Sequence, residues 1–260
     1  MLVQTEENGN LSESTKIAGS GTPLTRCQTL NSPLNQAKTV GIIGGVSVFS
    51  TLIFLEKLVW WSSRNGEDCV PFIVCNDPVI SRELSIQSAL VNGELDDETR
   101  TKYEMTAESL RRKRAFLEQS GVHCIVMPCH ISEMWHSEVS EGCSVPFLSI
   151  GDCVARDLKE AELKPLEAGS KNFEVVLPDK ATVQHILNPA IEALNRKDVD
   201  GARNLLRVAV QVLLMRAANT VILATDEFQG LLPHDDPLLK KCIDPMDALA
   251  LSTLKWARST

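Results

Sequence analysis

The stretch V-H-C-I-V-M-P-C-H-I-S-E, residues 122–133, constrains this chain more than any other. Residues 122–127 form a short apolar run behind Gly121, the pattern of a parallel strand buried on both faces. Pro128 cannot donate to a sheet ladder, so the strand ends there. Cys129 follows at once. Residues 131–139 then carry apolar side chains at Ile131, Met134, Trp135 and Val139, a helical spacing. Cys129 is thereby placed on a strand-to-helix turn at the carboxyl end of a strand, where open α/β sheets bind ligands. The helix N-terminus behind it offers backbone N–H groups and a positive dipole end, which favour thiolate. A lone cysteine is most often a small buried hydrophobe, and that reading is kept for Cys124, inside the strand. Cys129 is read as a reactive thiol, because of its position and because a second turn of the same kind lies near Thr225.

Strands and helices alternate through the rest of the chain. Strands are expected at 39–43, 70–75, 145–150, 173–177 and 220–224. Helices are expected from Leu52, Leu55, Leu58 and Val59 after the first strand, and at 101–119, 152–163, 181–195, 200–218 and 247–257. Asp152 is the expected cap of its helix. This alternation predicts α/β architecture with parallel sheets flanked by helices. Residues 1–38 are rich in Ser, Thr, Asn, Gln and Gly without apolar period and read as a disordered tail. Residues 79–100 are too polar for a core and long enough for a functional lid, with Arg82 as the cation before Arg100. Arg111-Arg112-Lys113-Arg114, late in a helix, reads as a solvated helix end.

The formal net charge of −8 argues against a nucleic-acid face. No apolar run has the roughly 20 residues of a membrane span, and the N-terminal stretch lacks the apolar core of a secretory signal. The eight cysteines form no C-x-x-C pair and show no zinc spacing, so they read as reduced thiols. A cytoplasmic protein is expected, with an organelle such as a plastid as the alternative.

The first strand runs into Gly44-Gly45, then a helix. Such a turn suits an anion, because backbone amides approach closely where no Cβ intervenes. The spacing is G-x-x-G-G rather than the dinucleotide fingerprint. Three readings stand for it: a carboxylate-binding turn, tight packing alone, or nucleotide binding.

Four separated segments resemble the aspartate/glutamate racemase family, enzymes independent of pyridoxal phosphate. Val40-Gly41-Ile42-Ile43-Gly44-Gly45 with Thr51 is similar to the family's opening glycine loop. Ile125-Val126-Met127-Pro128-Cys129 is similar to its first cysteine motif, V-M-P-C-N-T-A-H. Val221-Ile222-Leu223-Ala224-Thr225-Asp226-Glu227 is similar to its second, V-I-L-G-C-T-E. Asn76-Asp77-Pro78 with Arg82 resembles the loop whose arginine holds a distal carboxylate.

The resemblance implies two similar α/β domains with the site between them, 39–144 plus 229–260 and 145–228. It implies exchange of the Cα proton of an acidic amino acid by two thiols on opposite faces. Cys129 takes the first catalytic position and Thr225 the second. Gly45, Ser47, Thr51, Arg82, His130, Ile131, Asp226 and Glu227 take substrate-binding positions. No metal, pyridoxal phosphate or other cofactor is implied. The expected partners are a small acidic amino acid or dicarboxylate and, for assembly, a second copy in a homodimer.

Departures from the pattern define the alternatives. Threonine stands where the second cysteine belongs, and its hydroxyl is a far weaker acid and base than a thiol. N-T-A-H becomes His130-Ile131-Ser132-Glu133. A strand, a loop and a helix of the family's second domain have no counterpart between 163 and 173, which predicts a shortened, weakened domain. The readings are therefore a racemase or epimerase, a degenerate binding protein for small di- or tricarboxylates, or a decarboxylase or isomerase using one cysteine.

Overall fold

Four short parallel strands build the main sheet, in the order β2-β1-β3-β4. They are β1 (Val40–Ile43), β2 (Phe72–Cys75), β3 (Cys124–Val126) and β4 (Phe147–Leu148). The computed structural model describes residues 38–45, 47–64, 68–76, 97–162, 175–216, 218–233 and 235–259. The tail 1–37, most of the 79–100 loop with Arg82, and the junction 163–174 lie outside the described residues.

The period of two along each strand sorts side chains to two layers. Val40, Ile42 and Val126 face one core with Phe54 and Leu58 of α1 (Val48–Arg64), Cys153 and Val154 of α3 (Ile150–Glu162), and Leu249 and Leu254 of the last helix, Pro245–Arg258. Ile43, Ile125 and Met127 face the other core with Ala107, Leu110 and Leu117 of α2 (Asp97–Gln119). The sheet is thus covered on both sides, as a parallel sheet requires.

β1 is the centre of the winding. The chain leaves it through α1 towards β2, and reaches β3 on its other side, where Val40 pairs with Phe72 in one register and with Cys124 in the other. The turns after β1 and β3 leave to opposite layers. The crevice between their carboxyl ends is a topological switch point, the place where open α/β sheets put ligands.

The second half is built differently. Helical turns at Lys180–Thr182, Val183–Leu187 and Asn188–Asn195 pack with Val199–Met215 around a separate core of Ala190, Ala202, Leu206 and Leu223. Among the described residues its sheet has two parallel strands, β5 (Val221–Ile222) and β6 (Cys242–Ile243).

Several expected elements differ in detail. The strand at 122–127 spans only Cys124–Val126, and the helix after Cys129 begins as a 3-10 turn, Ser132–Trp135, before one α-helical turn, His136–Ser140. Ser149, not Asp152, caps α3, accepting from the Asp152 N–H at 3.2 Å. Val175 to Leu177 is no strand: Val175 and Leu177 are 75% and 76% exposed, without sheet partners among the described residues. The Arg111 to Arg114 cluster is only partly solvated, because Lys113 is 6% exposed. Its Nζ donates to the Gly44 carbonyl at 3.2 Å.

Candidate active site

Cys129 is fully buried at the carboxyl end of β3, immediately after Pro128. The turn after β1 closes on it. The Ser47 N–H lies 3.5 Å from Cys129 Sγ and donates to it. A Cβ at Gly45 would stand 2.5 Å from Cys129 Cβ and 3.0 Å from Sγ, and would overlap Ser132 Oγ. A Cβ at Gly44 would collide with the Asn76 side chain. Neither glycine has a positive φ. They are needed for close approach, not for a left-handed turn.

Ser47 does three things at once. Its hydroxyl accepts from the Ser50 N–H at 3.2 Å and so caps α1. Its N–H points at the Cys129 sulfur. Its O–H donates to Asp226 Oδ2 at 3.2 Å. Ser50 Oγ donates to the same carboxylate oxygen. Asp226 belongs to the turn after β5, so this carboxylate ties the second half of the chain to the N-terminus of α1. Its other oxygen, Oδ1, faces His130 Nε2 at 3.7 Å, an ion pair whenever the imidazole carries its second proton. Both atoms are buried and neither has a hydrogen-bond partner among the described residues.

The remaining expected residues divide. Thr51 is buried on the first turn of α1, its Oγ1 without a hydrogen-bond partner among the described residues. Ile131 packs into the core that holds Cys129. Thr225 is half-buried, and its hydroxyl donates to the exposed Glu227 carboxylate. Gly45, Ser47, Cys129, His130 and Asp226 are therefore brought together, Thr51 lies beside them, and Arg82 is outside the described residues.

Sequence reasoning missed Ser50, Ser132 and Lys113. Lys113 carried a legible signal, since it falls on the same helical stripe as Leu110 and Leu117. Ser50 sits in the first turn of α1, a position of capping interest, but nothing in sequence announced its partner Asp226. Among the described residues, no group of three or more His, Cys, Asp or Glu side chains is arranged to hold a metal ion, and no helix is long and apolar enough to cross a membrane.

A doubly covered parallel sheet, with a buried thiol at its switch point and a glycine-serine turn closing on the sulfur, defines an α/β protein of the class that places ligands between two strand ends. The chain belongs to the Asp/Glu/Hydantoin racemase family, whose model matches residues 43–253. Its fold is similar to that of a Yersinia pestis protein described as a candidate Asp/Glu racemase, with 17% identity, a TM-score of 0.62, and coverage of 85% of this chain and 100% of that one. It is also similar to an aspartate racemase homologue from Pyrococcus horikoshii OT3, with 19% identity, a TM-score of 0.66 and the same coverage.

Proposed function

We propose that the protein exchanges the Cα proton of a small amino acid, acidic ones first, with Cys129 as acid and base. The observation that carries this reading is the Ser47 N–H directed at Cys129 Sγ within the switch-point crevice. Family membership supports the reaction class. The Cys129 thiolate takes the Cα proton and becomes a thiol, and the electron pair left on Cα delocalises into the substrate carboxylate. Returning the proton from the same thiol restores the starting enantiomer. Inversion needs a donor on the opposite face, and Thr225 is the residue we assign there.

Thr225 is a poor donor, and its proton already points at Glu227. Exchange on the Cys129 face should therefore outrun inversion. This hydrogen bond also favours a second reading, a binding protein that holds a small dicarboxylate without turnover. Arg82 is assigned to the distal carboxylate on its motif alone, and Arg82→Lys should weaken aspartate binding, because a bidentate contact is lost.

Cys129→Ala should abolish Cα exchange while the protein remains folded by circular dichroism. Thr225→Cys should raise the rate of net racemisation in a chiral assay. Undiminished exchange in folded Cys129→Ala would remove the assignment. Binding without exchange in the parent would leave the binding-protein reading.

A further inference from the structure

α1 begins at the Cys129 crevice and lines a second cavity with its later turns. Ser50 holds Asp226, whereas Lys57 and Trp61, about two and three turns further on, border a cavity of about 390 Å³. That volume falls within the roughly 300–1,000 Å³ of small-molecule sites. None of Gly45, Ser47, Cys129, His130, Thr225 or Asp226 lines it. Much of its wall is apolar, with Leu223, Phe228, Leu232, Leu239 and Ile243 contributed by the second half of the chain. Its charge is one-sided. Asp157 of α3, Asp244 and Asp247 border it with one cation, Lys57, among the described residues. Lys57 is already shared between Asp244 at 2.7 Å and Asp247 at 2.9 Å. Asp157 has no hydrogen bond or ion pair among the described residues. Lys255 and Arg156 are nearby cations, but Lys255 pairs with Glu160 at 3.4 Å, Arg156 donates to Ser252 at 3.3 Å, and neither lines the cavity. Burial outweighs both and holds the Asp157 carboxyl above its usual range.

We infer that this cavity is a second binding site, for a small organic amine whose apolar body packs on Leu223, Phe228 and Leu239 and whose ammonium pairs with Asp157. The ligand class follows from the wall. An anion of the same shape would meet three carboxylates and a lysine already engaged by two of them. A neutral ligand would leave Asp157 without a partner, in a place where burial opposes its charge. A bare metal ion would lack a ligand set, since no three His, Cys, Asp or Glu side chains are arranged for one among the described residues. An ammonium satisfies the carboxylate by a charge-assisted hydrogen bond, while the hydrocarbon takes the apolar wall. The site uses no residue of the Cys129 crevice and stands apart from the proton-exchange reading.

The test is calorimetric titration of the full chain with 2-phenylethylamine, 2-phenylethanol and 3-phenylpropionate, which share an aromatic body and carry a cationic, a neutral and an anionic head. A charge-assisted contact of this kind corresponds to a preference of about tenfold or more. The parent should bind the amine at least about tenfold tighter than the alcohol, and the carboxylate most weakly, an order that needs no variant. Asp157→Asn should bring the amine-to-alcohol ratio close to one and leave the alcohol's affinity as it was. Leu239→Trp, on the 3-10 turn Pro237–Lys241, should fill the cavity and weaken amine and alcohol alike by about tenfold. Folded Cys129→Ala should bind the amine as the parent does. No amine binding at millimolar concentration, a parent ratio near one, or tighter binding of the carboxylate would overturn the inference. So would an undiminished preference in folded Asp157→Asn, undiminished amine affinity in folded Leu239→Trp, or loss of amine binding in folded Cys129→Ala, which would put the amine in the crevice instead.

Discussion

Gly45 shows how narrowly the site is built. A methyl group there has nowhere to go but into Cys129 and Ser132. Gly45→Ala should displace the sulfur from the Ser47 N–H and lower Cα exchange at least about tenfold, at a stability cost of about 1–3 kcal/mol from overpacking. Loss of exchange with a small shift in melting temperature is the expected pair of results. The two strand-associated thiols should also differ. Burial pushes the Cys124 thiol up to about 12, so it should resist alkylation near neutral pH. Cys129 is equally buried, so exposure does not distinguish them. It lies on the turn beside Ser47 rather than inside a strand, and it should be labelled faster when the crevice opens. At this scale the placement of Cys129 and Gly45 was legible because Pro128 ends a strand and a glycine pair lets the backbone approach closely. The role of Asp226 was not, because its partners Ser47 and Ser50 lie more than 170 residues away in sequence.

Between elements, Lys57 of α1 is the main electrostatic tie to the last helix. It pairs with Asp244 at 2.7 Å and Asp247 at 2.9 Å, and Asp247 also accepts from Trp61 Nε1 at 2.8 Å. Burial opposes the charge on Lys57, but the two carboxylates outweigh it and its pKa is raised. Lys57→Met should cost about 2 kcal/mol, since two partly buried carboxylates lose their counter-charge. The Cys124 and Cys242 thiols are raised as well, to about 12 and about 11, both by burial. A group whose folded pKa is raised contributes stability that is complete below its unfolded pKa and is lost as pH rises through the folded one. All three therefore act in one direction. Denaturant midpoints should be flat with respect to these groups below about pH 8.5 and should fall between there and pH 12, with ordinary thiol and lysine values marking the onset. A midpoint that rises over this range would contradict the assignment. The main elements were readable from their periodicity. β6 was not, since Cys242–Ile243 is too short to show a period, and the 3-10 turn after Cys129 was read as a longer helix because its apolar spacing suits both.

For the whole molecule, the α/β class and the covered main sheet followed from strand-helix alternation and from the near-continuous apolar runs of the strands. The second half was less legible, because the expected strand at 173–177 depended on its apolar composition, whereas Val175 and Leu177 stand exposed. Ile222 in β5 and Met215 at the end of its helix are exposed as well. We propose that the chain works as two halves, the main sheet with its covering helices and the separate core around Val199–Met215 with β5 and β6, the second weakened by a missing strand-loop-helix unit. At about 25 cal/mol per Å², a few hundred Å² of uncovered apolar surface is comparable to a domain's net stability. Thermal unfolding should show two transitions, and early proteolysis should cut between Glu160 and Asp179. One sharp transition with no early cut there would contradict this. The central claim is Cys129-dependent proton exchange, and it is tested most directly by deuterium incorporation at Cα in D₂O, followed by NMR for each enantiomer of aspartate and glutamate. The account predicts that one enantiomer exchanges its Cα hydrogen faster than it inverts, and that the exchange vanishes in Cys129→Ala. No incorporation into any of the four, or incorporation that survives in folded Cys129→Ala, would contradict it.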